Sequence, residues 1–195
     1  MNQKGRSMVE MLGVLAVIGV LSAGALAGYS NAMKKIRLNN FTVAYAELLH
    51  NAMEILPKVD DGMARPGGTT LKAGMLKALN IIPSTMSTKG HDDGVYIFDK
   101  YNNQFWVFYG RSTYGIGFGF KPVELGEELC RTAVAIAKEH KYLYRIVTDR
   151  YVPDSESYNN ISSKYNSDIQ KMTVEEIRQM CTCDQSVCRL YVSWK

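Results

Sequence analysis

The feature that most constrains this chain is an apolar run from Met11 to Ala27, whose only polar member is Ser22. As a helix, its seventeen residues would span roughly 26 Å, close to the ~30 Å hydrocarbon core of a bilayer. Met8, Val9 and Tyr29 can lengthen the span. The stretch before it, Met1 to Arg6, is short and polar and carries Lys4 and Arg6. Those cations predict a cytoplasmic N-terminus, with everything after Tyr29 on the other side of the membrane. Glu10 does not fit a plain anchor. A carboxylate at membrane depth is costly unless it is paired or near the interface, so it reads by default as a functional residue.

The residues around Glu10 carry a resemblance. Gly5-Arg6-Ser7-Met8-Val9-Glu10-Met11-Leu12 resembles the cleavage site of type IV prepilins and type II secretion pseudopilins. In that family a dedicated peptidase cuts after a glycine on the cytoplasmic side of the apolar segment, and the fifth mature residue is a glutamate. A cut after Gly5 makes Arg6 the first mature residue and Glu10 the fifth. The leader Met-Asn-Gln-Lys-Gly is similarly short and basic. Two positions depart from the pattern. The first mature residue is usually apolar, often Phe, and here it is Arg6. A helix-kinking proline is common late in the apolar segment, and here Ala27 stands at that place.

The resemblance implies a role for each of these residues. Gly5 and Arg6 would flank the processed bond, with N-methylation of the new N-terminus as in the family. Glu10 would pair with the N-terminal ammonium of a neighbouring subunit in a filament. Both charges leave water there, so an unpaired one is disfavoured and the pair sets the axial register. The implied partners are further copies of the chain, the prepilin peptidase, an inner-membrane assembly platform and, before assembly, membrane lipid. The implied location is the bacterial inner membrane in a single pass with the head in the periplasm, and then a pilus or pseudopilus, with roles such as cell adhesion or type II secretion. A competing reading takes Ala25-Leu26-Ala27 before Gly28 as an ordinary secretory cleavage site. It would leave a tethered or secreted, disulfide-stabilised binding domain that never polymerises. A glutamate inside the apolar region is unusual for such signals, and the apolar pattern does not stop at Gly28.

Beyond Tyr29, Phe41, Ala44, Leu48, Ala52 and Ile55 recur at steps of three and four, which predicts one face of a helix running to Leu56, before Pro57. From Arg6 to Leu56 such a helix would be roughly 75 Å long, more than a compact domain requires. The sequence then reads as a loop over Asp60 to Thr70, a short helix over Leu71 to Leu79 and a polar loop over Ser84 to Asp93. Strands are expected at Val95 to Phe98, Gln104 to Tyr109, Tyr114 to Phe120 and Tyr142 to Val147. A helix is expected over Val123 to His140, and an exposed loop over the Ser-, Asn- and Tyr-rich stretch Val152 to Ser167. Thr173 to Glu176 reads as a capping box opening a helix to Met180, followed by a last strand, Arg189 to Trp194. In the third strand Gly115, Gly117 and Gly119 share one face, which suggests close approach of another element, with the long helix as the candidate.

The four cysteines, Cys130, Cys181, Cys183 and Cys188, all lie in the last third. An even count behind an export segment favours disulfides, and four cysteines allow three pairings. Cys181-x-Cys183-x4-Cys188 lacks the paired two-residue gaps of a zinc site. The pilin resemblance implies Cys130 with Cys181 and Cys183 with Cys188.

Catalysis is not indicated. No P-loop, nucleophile elbow or His-Glu-x-x-His pattern occurs, and His50, His91 and His140 are scattered. His91-Asp92-Asp93 reads as a solvated loop, and Glu127-Glu128 as charge near a helix start. The formal charge of +4 is dispersed among acidic residues, so nucleic acid is not an expected partner, and no cofactor is expected. The expected class is α+β: a long N-terminal helix packed on an antiparallel sheet with a disulfide-bounded C-terminal region. Its parts are a leader over 1–5, a transmembrane and filament-core helix over 6–29, an amphipathic half over 30–56 and a globular head over 57–195.

Overall fold

The computed structural model describes residues 8–59, 69–110, 113–153, 157–184 and 186–195. Helix α1 runs Met8–Val59. It ends three residues beyond Leu56 because Pro57 falls in its last turn, where a missing N–H removes only one bond of the ladder. The chain divides into two units, Met1–Arg37 and Leu38–Lys195. The described part of the first unit is helical throughout.

The second unit is built on an antiparallel sheet. Its strands are β1 (Thr69–Thr70), β2 (Ile97–Phe98), β3 (Gln104–Gly110), β4 (Thr113–Phe120), β5 (Leu143–Val152), β6 (Ser157–Tyr165) and β7 (Cys188–Trp194). The order is β1-β3-β4-β7-β5-β6, with β2 also paired to β3. The helices are α2 (Ala73–Ala78), α3 (Glu124–Lys138), α4 (Ser167–Gln170) and α5 (Val174–Met180). This is the α+β class expected from the sequence, with a long N-terminal helix, an antiparallel sheet and disulfides in the C-terminal region.

Alternation along the strands decides the layers. Phe105, Val107, Ile116, Phe118, Leu190 and Val192 are buried on one face. Phe41 and Tyr45 of α1 pack on that face, with Phe41 5.8 Å from Phe105 and 5.1 Å from Phe118 between ring centroids. Helix α3 covers β4, β5 and β7 through Leu129, Cys130, Ala133, Val134 and Ala137, all buried. The turn between β2 and β3 is fixed by the buried Asp99. Its Oδ1 accepts from the backbone N–H of Tyr101 and of Asn103, and Asn102 takes the left-handed φ of 69°.

Four expectations need correction. The stretch Val152 to Ser167 is not simply a loop, because its residues 157–165 form β6. A strand at the edge of a sheet needs no apolar face, and Ser, Asn and Lys there discourage further pairing. Thr69–Thr70, expected in a loop, pair with Tyr109 and Phe108. The glycine face of β4 does not meet the long helix. A Cβ at Gly115 would overlap the Phe108 ring, and one at Gly117 the Trp106 indole, both on the opposite face of the sheet. The side chains that meet α1 come from the alternate positions, with Phe118 against Phe41. The glycines make room for neighbouring aromatics instead. Val95 and Tyr96 also fall outside β2, which is only two residues long.

Candidate assembly interface

From Met8 to Ile36 the first unit presents large apolar side chains to the outside. Met11, Leu12, Leu15, Val17, Leu21 and Leu26 are each more than half exposed. The helix is long and apolar enough to cross a membrane, and its apolar stretch is unburied. Exposed apolar surface of this extent suits burial against lipid or other helices, and an N-terminal export signal has the same character. Glu10 lies in the first turn of α1, exposed among these residues. A Cβ placed at Gly13, Gly19, Gly24 or Gly28 would meet nothing within 4 Å. Among the described residues nothing packs against these positions, so their small size leaves room for close approach by another helix. The expected cleavage site, Gly5 and Arg6, lies outside the described residues.

The cysteines lie together at one end of the sheet's inner layer. Cys130 of α3 is bonded to Cys181 just after α5, at a sequence separation of 51 and a Cα–Cα distance of 5.6 Å. Cys183 is bonded to Cys188 at the start of β7, five residues away. All four are buried. This is the pairing that the resemblance implies. Glu127 adds a link across the same seam, its Oε1 accepting from the Cys183 N–H at 3.0 Å. The capping box forms at α5. Thr173 Oγ1 accepts from the Glu176 N–H at 3.2 Å, and Glu176 Oε2 accepts from the Thr173 N–H at 2.8 Å. Lys164 of β6 donates to the same carboxylate, which with the cap holds the Glu176 carboxyl down at about 2. The C-terminal region is thus tied to α3 by sulfur and to β6 by charge.

The acidic loop serves itself. Thr88 Oγ1 donates to Asp92 at 2.6 Å and Lys77 Nζ lies 3.4 Å away. The Thr88 bond is the main reason that the Asp92 carboxyl sits below the usual carboxylate range. Among the described residues no three His, Cys, Asp or Glu side chains are grouped to hold a metal. One arrangement escaped sequence reasoning altogether. Trp106 and Phe108 of β3, Tyr191 of β7 and Tyr96 come together on the outer face of the sheet, although three separate segments supply them. The glycine alternation of β4 was the signal that could have found it.

No family model matches the chain, and no curated protein matches it. Among solved structures the chain is similar to a crystal structure of type IV b pilin from Salmonella typhi, at 16% identity and a TM-score of 0.46. The match covers 77% of this chain and 95% of that one.

Proposed function

We propose that this chain is a filament subunit of the type IV pilin or pseudopilin kind, held in a bacterial inner membrane by its first helix and later packed through that helix in the filament. The observation that carries the reading is Glu10, a carboxylate within an exposed apolar helix and five residues beyond Gly5. Cleavage after Gly5 by a prepilin peptidase frees an ammonium on Arg6. In the filament that ammonium meets Glu10 of a neighbouring copy, and each charge satisfies the other away from water. The open glycines allow the helices to approach closely, and the disulfide-bounded head stays outside the core. The assembly platform lifts the subunit out of the bilayer, exchanging lipid contacts for helix contacts of similar polarity.

The mature N-terminus tests this directly. Mass spectrometry of the protein, from hosts with and without the peptidase, is expected to show a peptidase-dependent start at Arg6. Glu10→Ala is then expected to be processed normally and to yield no filament in sheared-surface preparations. A start at Gly28, or an intact Met1 in both hosts, would sink the reading and leave a secreted or tethered domain.

A further inference from the structure

The outer face of the sheet carries a built cleft. Register places Trp106 opposite Gly117 and Gly117 opposite Tyr191, so one row of the sheet reads Trp, Gly, Tyr across three strands. The row beside it reads Gln104, Gly119, Arg189. Because Gly117 has no side chain, the indole of Trp106 lies down over it and becomes a floor. Two rings stand against that floor at steep angles. Tyr96 makes an interplanar angle of 86° with it at 6.1 Å, and Tyr191 one of 76° at 5.6 Å. Tyr96 comes from beside β2 and Tyr191 from β7, so they flank the indole from opposite sides of β3. The cleft has a volume of about 390 Å³, within the range of small-ligand sites. Gln104 and Arg189 line it as well. Tyr96 is 44% exposed and the remaining rings are half-buried, so the aromatic surface is open to solvent.

We propose that this cleft binds a saccharide, one or two hexopyranose units of a glycan chain. A pyranose offers an apolar face of C–H groups and a rim of hydroxyls. An aromatic floor between two aromatic walls suits the first, and an amide and a guanidinium at the margin suit the second. The charge of the site discriminates against other occupants. Among its described lining residues Arg189 is the charged one, and it lies over the Tyr158 ring and 3.4 Å from Asp149. A cationic ligand would meet that guanidinium with no carboxylate in the lining to receive it. Single-stranded nucleic acid needs a basic groove along its backbone, and a single paired arginine does not make one. A second copy of the chain would need a far larger apolar area than this cleft presents. The inference goes beyond filament assembly and does not depend on it, since every residue named lies in the second unit.

The test uses the full-length chain in detergent. The chain has two tryptophans, and Trp194 is 1% exposed, so a change in emission on ligand addition reports Trp106. The protein is first exposed to a printed array of neutral and acidic oligosaccharides. The glycans it retains are titrated in solution, alongside an oligothymidylate and tetramethylammonium. The expected result is a saturable emission change with at least one glycan class and none with the other two probes. Tyr96→Ala is expected to weaken the binding roughly tenfold or more by the same emission change, and Trp106→Ala, which removes the reporter, to weaken it as much by titration calorimetry. Tyr96 lies outside the core, so its variant keeps the test valid if Trp106→Ala fails to fold. Silence across the array, tighter binding of the oligonucleotide or the ammonium ion, or glycan binding that Tyr96→Ala leaves unchanged would each overturn the proposal.

Discussion

At Gly117 a single methyl group decides whether the aromatic floor can form. A Cβ there would occupy the space of the Trp106 indole, while one at Gly119 would only touch its edge at 3.9 Å. Gly117→Ala is therefore expected to lower stability by about 1–3 kcal/mol through overpacking, read from the denaturant midpoint. The same substitution in a Trp106→Ala background should be nearly neutral, because the space is then free. An equal loss in both backgrounds would assign the effect to strand propensity. The contrast between two glycines two residues apart is what the sequence could not supply. It shows three glycines in alternation and so a bare face, but which partner fills that face depends on pairing with β3. The long helix was the natural candidate from sequence, and the cross-strand rings of Trp106 and Phe108 are the actual occupants.

Among the elements, α5 and its flanks are held by disulfides and a charged link as well as by buried apolar side chains such as Met172, Ile177 and Met180. The two disulfides differ in how much chain they close. In the chain-entropy account, a loop of 51 residues contributes roughly 4 kcal/mol and one of five roughly 2 kcal/mol. Replacing Cys130 and Cys181 by Ser is therefore expected to lower the unfolding free energy more than replacing Cys183 and Cys188. Parallel urea titrations would decide, and the reverse order would mean that native packing around the short bridge outweighs loop closure. Local signals made much of this region readable beforehand. The Thr173 to Glu176 box, the helix over Val123 to His140 and the last strand each carry their own periodicity or cap. Strand β6 does not. Its Ser157, Asn159, Asn160 and Ser163 leave Ile161 as its one aliphatic side chain against the core, and it is a strand because β5 offers it a ladder of backbone partners. Pairing of that kind is a property of two segments, so neither shows it alone.

At the scale of the whole molecule, the buried core begins at Phe41 and contains no described residue of the first unit. A chain beginning at Leu38 is accordingly expected to be soluble without detergent and to keep both disulfides. Its thermal midpoint should fall within a few degrees of the full-length protein. Aggregation or loss of cooperative melting would show that the first unit contributes to folding of the second. The apolar run and its glutamate were legible at once because composition and spacing carry them. The cleft on the sheet was not, because its rings lie in segments separated by loops and strands. The sheet order has a further consequence for how the protein is made. Strand β7 is the last in chain order, yet it lies at the centre, between β4 and β5. The hairpin β3–β4 and the hairpin β5–β6 are both synthesised before the strand that joins them. Until β7 is made, the growing chain is two half-sheets with exposed inner edges, each able to pair with the wrong neighbour. Insertion of β7 is thus the step that closes the sheet, and a chaperone guarding those two edges would be needed only until that strand has paired.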